Sequence, residues 1–228
     1  MQPLDHTAYL TLREGARVIE ADGSGDKVLQ MPDGRFLKLF RRKRWLTSAA
    51  LFPYAQRFAD NARRLRALGI ETPEVLAVYR IKSIERDGVY YAPLAGSTLR
   101  QLIQQGTATD TLRERYGAFV ARLHDQGVYF RSLHLGNVVL TPAQVLGLID
   151  IADLSQRGRA LGPNKRLRNF QHMLRYREDR AWLRGDDAGQ AFLRGYAASL
   201  PHKPGYERLV AQVSTLLADA PSTPRHAP

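Results

Sequence analysis

The chain contains no cysteine, which excludes a disulfide framework, a thiol nucleophile and any metal site with cysteine ligands. It has no apolar run close to the roughly 18 residues that a transmembrane helix needs. Residues 1–20 also lack the basic start and the apolar stretch of a signal peptide. From these absences we expect a soluble protein of the cytoplasm.

Positive charge is what the chain has in excess. Its 228 residues include 34 Lys and Arg against 22 Asp and Glu, a formal net charge of +12. Residues 35–66 hold ten basic residues and one acidic residue, and residues 156–184 hold nine and two. Such segments favour anionic partners, among them phosphates, acidic glycolipid, membrane surfaces and nucleic acid. The alternative is that both segments are ordinary solvated faces.

The first ninety residues or so read as strands with one helix. A Met-Pro-Asp-Gly turn at residues 31–34 is typical of a hairpin. A 3.6-residue period begins at Pro53, and Gly69 is placed to end that helix. The predicted strands cover residues 16–21, 27–30, 35–40, 75–79 and 89–91, and the predicted helix covers residues 53–68.

The rest of the chain reads as mainly helical. The predicted helices cover residues 99–104, 111–125, 165–183, 187–199 and 206–218, and a hairpin is predicted from strands 138–140 and 145–149. Ser97 and Thr98 can cap the first of these helices, and Gly127 is placed to end the second. Residues 219–228 form a Pro-rich polar tail that we expect to be disordered. The pattern therefore predicts an α+β protein of two lobes, a β-rich N-lobe over residues 1–92 and a mainly helical C-lobe over residues 93–218.

Two polar residues frame the predicted hairpin. Asn137 lies in the loop before its first strand, and Asp150 follows its second strand. An amide oxygen and a carboxylate are hard ligands that suit Mg²⁺, which also keeps waters and substrate phosphates in its shell. Turn capping is the alternative role, because Asn and Asp are common turn residues.

The order of motifs around these residues resembles a known fold. Leu-His-x-x-Gly at residues 123–127, Leu-x-x-x-Asn at residues 133–137 and Leu-Ile-Asp at residues 148–150 look like the catalytic loop and metal segment of the protein-kinase-like fold. In particular the chain resembles the bacterial lipopolysaccharide-core kinases, which phosphorylate heptose or Kdo sugars. They are relatives of the RIO and aminoglycoside phosphotransferase-type kinases.

The resemblance implies that ATP and Mg²⁺ are bound, and it implies a role for each matching residue. A glycine turn would cover the phosphates, a strand lysine would contact the α and β phosphates, two residues would lie beside adenine, and two would hold Mg²⁺. In that order the residues are Gly23, Ser24 and Gly25; Lys38; Tyr91 and Ala92; and Asn137 and Asp150. An ordinary hairpin turn and a solvent-facing strand lysine are the alternatives for the first two groups.

The catalytic loop departs from the kinase pattern. Ser132 stands five positions before Asn137, where the family has its catalytic Asp. A serine hydroxyl cannot accept a proton as a carboxylate does, although it can orient an acceptor. His134 and Asp153 are candidate substitutes, with local structure or capping as their alternative role. His124 is expected to pack beneath the loop rather than to take part in chemistry.

The predicted helix over residues 53–68 also departs from the pattern. Kinases place a Glu there to pair with the strand lysine, but no Glu occurs between residues 20 and 71, and Asn61 stands on the inward stripe. Lys38 therefore lacks its usual partner, unless Asp60 turns inward or Asp150 supplies the charge.

The two basic segments suggest what the protein contacts. Residues 41–46, followed by residues 51–54, mix Arg and Lys with Trp45, Phe52 and Tyr54, a composition suited to an anionic membrane or glycolipid. Residues 165–168 with Arg175, Arg177 and Arg180 form the second basic surface. Nucleic acid is disfavoured, because no Gly-aromatic RNP pattern or helix-turn-helix is present.

The resulting expectation is a kinase-like protein of lipopolysaccharide-core assembly. It would transfer phosphate from Mg-ATP to a heptose or Kdo hydroxyl of the inner core, in the cytoplasm or on the inner face of the inner membrane. The alternative is a pseudokinase, impaired by Ser132, that binds nucleotide or a partner in envelope biosynthesis or stress tolerance.

Overall fold

A computed structural model describes residues 1–23, 25–42 and 53–218. Strands dominate its first part and helices its second, so the predicted α+β class is confirmed. The chain forms two compact units, and one of them is discontinuous in sequence. The first unit comprises Met1–Ala95 and Leu148–Asp153, and the second comprises Gly96–Gly147 and Leu154–Pro228. Residues 219–228, the tail that the sequence predicts to be disordered, lie outside the described residues.

The first unit is built on a six-stranded sheet, and two helices are inserted between its strands along the chain. Its elements are β1 (Gln2–Pro3), α1 (His6–Leu12), β2 (Arg17–Asp22), β3 (Gly25–Gln30), β4 (Phe36–Arg41), α2 (Tyr54–Ala67), β5 (Glu74–Ile81) and β6 (Arg86–Ala92). The strand order is β1-β5-β6-β4-β3-β2, in which only the β1–β5 pair is parallel. All the strands and the helix predicted for this part are present.

Alternation along β4 divides the sheet into two faces. Leu37 and Leu39 point to one face, where Tyr9 of α1 joins their apolar cluster. Phe36 and Lys38 point to the other face, because successive side chains of a strand alternate. The β3–β4 turn is the predicted one, closed at residues 31–35 by two backbone hydrogen bonds of 2.8 and 3.0 Å. Lys38 therefore lies on the face opposite the apolar cluster of Leu37 and Leu39.

Helix α2 ends as its sequence predicts. Gly69 has a φ of +66°, and the backbone amide of Ile70 donates to the carbonyl of Leu65 at 2.9 Å. Phe58, Ala62 and Leu65 are buried on one stripe of the helix. Asn61 is buried on the same stripe and is 3% exposed. A polar side chain thus lies on the apolar face of this helix.

The second unit contains most of the helices. Its elements are β7 (Ser97–Thr98), α3 (Leu99–Gln104), α4 (Asp110–Asp125), β8 (Val128–Phe130), β9 (Val138–Leu140), β10 (Leu146–Leu148), β11 (Leu154–Gln156), α5 (Pro163–Met173), α6 (Arg177–Arg184), α7 (Gln190–Ala197) and α8 (Pro204–Ala218). Strands β10, β9 and β7 form one small sheet and β11 and β8 another. Thr98 caps α3 with a capping box to Gln101, and Gly127 follows the end of α4, both as predicted.

Helices α4 and α7 approach closely at two glycines. A Cβ on Gly117 would lie 2.1 Å from the carbonyl oxygen of Phe192, and a Cβ on Gly195 would lie 1.9 Å from that of Glu114. Any side chain at either position would force the helices apart. The crossing therefore depends on glycine at both positions.

The prediction of one helix over residues 165–183 is wrong, because two helices stand there. Helix α5 ends at Met173, and Tyr176 has an extended backbone with φ −87° and ψ 130°. The Tyr176 ring lies 5.0 Å from the His134 ring and 5.0 Å from the Arg100 guanidinium carbon. These contacts join Tyr176 to residues distant in sequence, which helical periodicity does not reveal.

Candidate functional site

Lys38 and Asp150 form an ion pair in the first unit. The Lys38 ammonium nitrogen lies 2.6 Å from Oδ1 of Asp150, although 112 positions separate the two residues. The Lys38 side chain is 19% exposed and the Asp150 side chain 49% exposed, so solvent reaches the carboxylate. The pair therefore joins the predicted phosphate contact to one of the two predicted metal ligands.

Backbone contacts hold the segment on both sides of Asp150. The Thr72 hydroxyl donates to the carbonyl of Leu148 at 3.0 Å, and the Asn61 amide donates to the carbonyl of Ile151 at 2.7 Å. Asp150 itself has a φ of +52°, in the left-handed region that few non-glycine residues adopt. Such conformations persist where the surroundings impose them, and they cluster at functional sites.

These contacts decide between the two partners that the sequence left open for Lys38. Asp150 supplies the charge. Asp60 instead accepts from Gln56 at 3.0 Å and pairs with Arg63 at 3.4 Å. Asn61, which stands where the kinase pattern would have a Glu, donates to the backbone carbonyl of Ile151, next to Asp150.

Tyr91 lies in an aromatic group on the Lys38 face of the sheet. Its ring centroid is 5.9 Å from that of Phe36 and 5.4 Å from that of Phe58. Burial, and to a smaller extent the negative charge of Asp150, raise the pKa of the Tyr91 hydroxyl to about 12. Ala92 pairs with Glu74 at the end of β6. The prediction that Tyr91 and Ala92 flank adenine stays a prediction.

The glycine segment forms a tight hairpin connection. Asp22 of β2 pairs directly with Gly25 of β3. Ser24 lies outside the described residues. Gly25 has a φ of +109°, which favours glycine at that position. The geometry matches the hairpin alternative, and contact of these amides with phosphates stays a prediction.

The loop with Ser132 and Asn137 lies in the second unit. The Asn137 amide nitrogen donates to the backbone carbonyl of Ser132 at 3.0 Å, and the backbone amide of His134 donates to the same carbonyl at 2.8 Å. Asn137 is buried, with 7% of its surface exposed. Because the amide nitrogen serves the loop, the side-chain oxygen is the atom of Asn137 that suits a metal ion. The Mg²⁺ roles of Asn137 and Asp150 stay predictions.

A buried carboxylate that sequence reasoning missed anchors this loop. Both oxygens of Asp179 bind the Arg100 guanidinium, at 2.8 and 2.9 Å, and one accepts from the backbone amide of Leu135 at 2.9 Å. Asp179 is 1% exposed. Its sequence signal was weak but present, since it is one of two acidic residues among the basic residues 156–184.

The two candidate substitutes for the missing catalytic Asp lie in different units. His134 belongs to the second unit, where its ring meets Tyr176 edge-on. Asp153 belongs to the first unit and ends the short 3-10 turn Ile151–Asp153. Their catalytic roles, like that of Ser132, stay predictions.

His124 is a structural residue, as predicted. Its side chain is fully buried, with Nδ1 2.9 Å from the Tyr196 hydroxyl and Nε2 3.2 Å from the Asn169 side-chain oxygen. Burial lowers the pKa of His124 to about 3, and the nearby Arg166 guanidinium lowers it in the same direction. The ring is therefore neutral at neutral pH.

The structure corrects the second basic surface at one position. Arg166 is 1% exposed and binds the Asp125 carboxylate at 2.6 Å and the Leu161 carbonyl at 2.7 Å, so it is not available to a partner. The predicted membrane or glycolipid contact over residues 41–54 falls largely on residues 43–52, which lie outside the described residues. No helix in the described ranges is long and apolar enough to cross a membrane.

The donor set for Mg²⁺ consists of few protein groups. Among residues 1–23, 25–42 and 53–218, no three acidic or histidine side chains meet at one point. Asp150 belongs to the first unit and Asn137 to the second. Each offers an oxygen of the kind that Mg²⁺ prefers, and this ion usually keeps waters and substrate phosphates in its shell.

Comparisons with known proteins give resemblances at low identity. No protein-family model matches the chain, and no curated protein does. WbdD bound to the kinase inhibitor LY294002 has 16% identity and a TM-score of 0.46 over 87% of this chain and 43% of that one. A second structure, of the bifunctional kinase-methyltransferase WbdD, has 18% identity and a TM-score of 0.43 over 79% of this chain and 45% of that one.

A third solved structure is a divergent kinase lacking the glycine-rich loop, which regulates membrane ultrastructure of the Toxoplasma parasitophorous vacuole. It has 17% identity and a TM-score of 0.41 over 83% of this chain and 76% of that one. The chain spans less than half the length of the two WbdD chains. Because these TM-scores lie below 0.5, the α+β organisation rests on the elements described above and not on these likenesses.

Proposed function

We propose that this chain binds a nucleotide through Lys38 and Asp150 and transfers its terminal phosphate to a heptose or Kdo hydroxyl of a lipopolysaccharide core. The observation that supports the proposal best is the ion pair between these two residues. An ammonium group is suited to phosphate oxygens, and a solvent-accessible carboxylate beside it is suited to the metal ion that accompanies a nucleotide. Mg²⁺, when bound, would neutralise charge that develops on the transferring phosphate.

The local structure suits this role because hydrogen bonds hold the backbone on both sides of Asp150. Asp150 is held in a left-handed conformation between two segments whose carbonyls are bound by Thr72 and Asn61. Phosphoryl transfer relies chiefly on positioning and on charge stabilisation. A rigidly held Asp150 would provide positioning, and Lys38 would provide positive charge.

In the proposed reaction the acceptor hydroxyl oxygen forms a bond to the γ-phosphorus while the bond to the ADP oxygen breaks. The hydroxyl proton leaves to a base or to water. Ser132 cannot take that proton at neutral pH, and general-base assistance contributes about 10²–10⁴-fold in typical enzymes. We therefore expect slow transfer rather than none.

The second candidate function is nucleotide binding without catalysis. Ser132 in place of a carboxylate and Asn61 in place of the helix Glu favour it. In this case the Lys38–Asp150 pair would still bind a nucleotide, and the protein would act as an accessory in envelope biosynthesis.

Incubation with γ-labelled ATP and isolated lipopolysaccharide core distinguishes the two. Labelled core sugar is the result expected for a transferase. The Ser132→Ala variant should change the rate by less than about tenfold, because the contribution of a base is already largely missing. Ser132→Asp should raise the rate if the loop holds an acceptor. If none of the three proteins transfers label to the core, while nucleotide binding is intact, the accessory role is favoured.

A further inference from the structure

A surface hollow of about 400 Å³ lies in the second unit and is strongly basic. Four of its lining residues carry positive charge, namely Arg131, Arg157, Lys165 and Arg168. No acidic residue lines it within the described part of the chain. Protein surfaces that serve no anion usually mix charges of both signs, because like charges repel. We call this feature the basic hollow.

Two paired strands form its floor. In the register of β8 and β11, Tyr129 lies opposite Ser155. Arg131 and Arg157 each follow directly after the last residue of their strand, and both line the hollow together with Tyr129 and Ser155. The floor thus presents two guanidinium groups beside two hydroxyl groups.

One face of helix α5 forms its wall. Lys165, Arg168 and His172 are spaced i, i+3 and i+7, which puts them on one side of a helix. The His172 ring meets the Tyr129 ring edge-on, with their centroids 6.3 Å apart, which joins wall to floor. The basic hollow is therefore built from regular elements.

Within the described ranges, the positive charges of the hollow have no carboxylate partner. Arg131, Arg157, Lys165 and Arg168 form no ion pair there. Partial desolvation lowers the pKa of Lys165, and the charges of Arg157 and Arg159 lower it in the same direction. An anion placed among these groups would relieve their mutual repulsion.

We propose that the basic hollow binds the phosphate monoester of a sugar-sized, polyhydroxylated ligand. Guanidinium groups bind phosphate oxygens in a two-pronged geometry. The hydroxyls of Tyr129 and Ser155 offer hydrogen bonds to ligand hydroxyls. A volume of about 400 Å³ exceeds what inorganic phosphate alone would fill and lies in the range of small-ligand pockets. This binding does not require the chain to transfer phosphate.

A neighbouring hollow extends the site. It has a volume of about 690 Å³, shares Arg157 and Lys165 with the basic hollow, and adds Arg159 and Arg208. A ligand with two phosphate groups could place one in each hollow. Bisphosphorylated ligands are therefore expected to bind more tightly than monophosphorylated ones.

Titration calorimetry on the full chain at low salt tests the proposal. The probes are glucose, inorganic phosphate, glucose 6-phosphate and fructose 1,6-bisphosphate. We expect no binding of glucose, weak binding of phosphate, tighter binding of the monophosphate and the tightest binding of the bisphosphate. Lys165→Gln should weaken the binding of glucose 6-phosphate about tenfold, since it removes one charge-assisted hydrogen bond. Lys203→Gln, an exposed lysine of the same unit, is the matched control and should leave binding unchanged.

A second readout is the melting temperature without ligand. Because Lys165 lies among like charges, Lys165→Gln should not lower the melting temperature. Replacement of a residue that stabilises the fold would lower it. Equal effects of the two lysine variants on binding would overturn the proposal. So would binding of phosphatidic acid vesicles or of duplex RNA without binding of glucose 6-phosphate, because a compact ligand would then not be the occupant.

Discussion

The side-chain amide of Asn61 donates a hydrogen bond to the carbonyl of Ile151, the residue directly after Asp150. Asn61 and Ile151 are both buried, and 90 positions separate them in sequence. Helix α2 thereby controls the backbone that carries Asp150, without any charge of its own at this position.

The variant Asn61→Leu tests this link. It keeps the size of the side chain but leaves the Ile151 carbonyl without that donor, which typically costs about 1–3 kcal/mol when the group is buried. We expect the free energy of unfolding in urea to fall by that amount, and any stabilisation by nucleotide to shrink. Asp60→Asn, at the neighbouring position, is the control and should change the stability by less than about 0.5 kcal/mol. An unchanged stability in Asn61→Leu would mean that this hydrogen bond does not hold the segment.

The crossing of α4 and α7 predicts a second effect. Gly117→Ala should lower the free energy of unfolding by about 1–3 kcal/mol, because its Cβ would lie 2.1 Å from a backbone oxygen. For a protein of this size that corresponds to a decrease in Tm of roughly 2–12 °C. Gly205→Ala in α8 is the control, since its Cβ would lie 3.5 Å from the nearest side-chain atom, an ordinary contact. If calorimetry finds the two variants equally stable, the helices can accommodate the added methyl group without loss of stability, and this account of the crossing is wrong.

The burial of His124 predicts a dependence of stability on pH. The pKa of this ring is about 3 in the folded chain and about 6.5 in the unfolded one, so the unfolded state takes up a proton first as the pH falls. The contribution of neutral His124 is complete above about pH 6.5 and is lost as the pH falls toward 3. Between pH 7 and pH 5 we expect a loss of about 2 kcal/mol.

Urea denaturation at the two pH values measures this loss, and His124→Gln isolates it. The variant should lose about 2 kcal/mol less than the wild type over the same interval, whereas His202→Gln, at an exposed position, should behave as the wild type. Equal pH dependence in all three proteins would show that the ring can be protonated within the fold.

The anchoring of the loop by Asp179 predicts a large effect from a small change. Asp179→Asn removes the negative charge that faces Arg100. It also weakens the hydrogen bond that the Leu135 backbone amide donates to this side chain. Loss of one partner of a buried ion pair costs about 3–5 kcal/mol, and we expect the lower end because Arg100 is 31% exposed. Glu178→Gln, next to it and exposed, should be nearly neutral. Chemical denaturation would contradict this account if the two variants were equally stable.

Local patterns predicted most of the elements, because they depend on periodicity and on turn residues. The Met31–Gly34 turn, the Thr98 cap and the end of α2 at Gly69 were all visible in the sequence. For the partner of Lys38 the sequence left two alternatives, Asp60 and Asp150. Which acidic side chain reaches Lys38 depends on how distant segments fold together, and that information is not local.

The residues that sequence reasoning missed share a physical cause. Asp179 and Tyr176 act through contacts with residues far away in sequence, so neither shows a motif. Arg166 was taken for a surface cation because nothing in the neighbouring sequence indicates that the Asp125 carboxylate and the Leu161 carbonyl bind it. The short strands β8 and β11 were missed since three residues carry too little periodicity. Tertiary contacts decided each of these cases.

The central claim is that Lys38 and Asp150 form a nucleotide site, and a thermal melt with Mg-ATP tests it most directly. At about 100 times the dissociation constant, a ligand that binds only the folded state adds about 2.7 kcal/mol. The Tm should then rise by about 5–11 °C. Asp150→Asn should remove most of the rise and Lys38→Met part of it, while the control Lys82→Met should retain it in full. If Mg-ATP, Mg-ADP and Mg-GTP at saturating concentration all leave the Tm of the wild type unchanged, the claim is wrong.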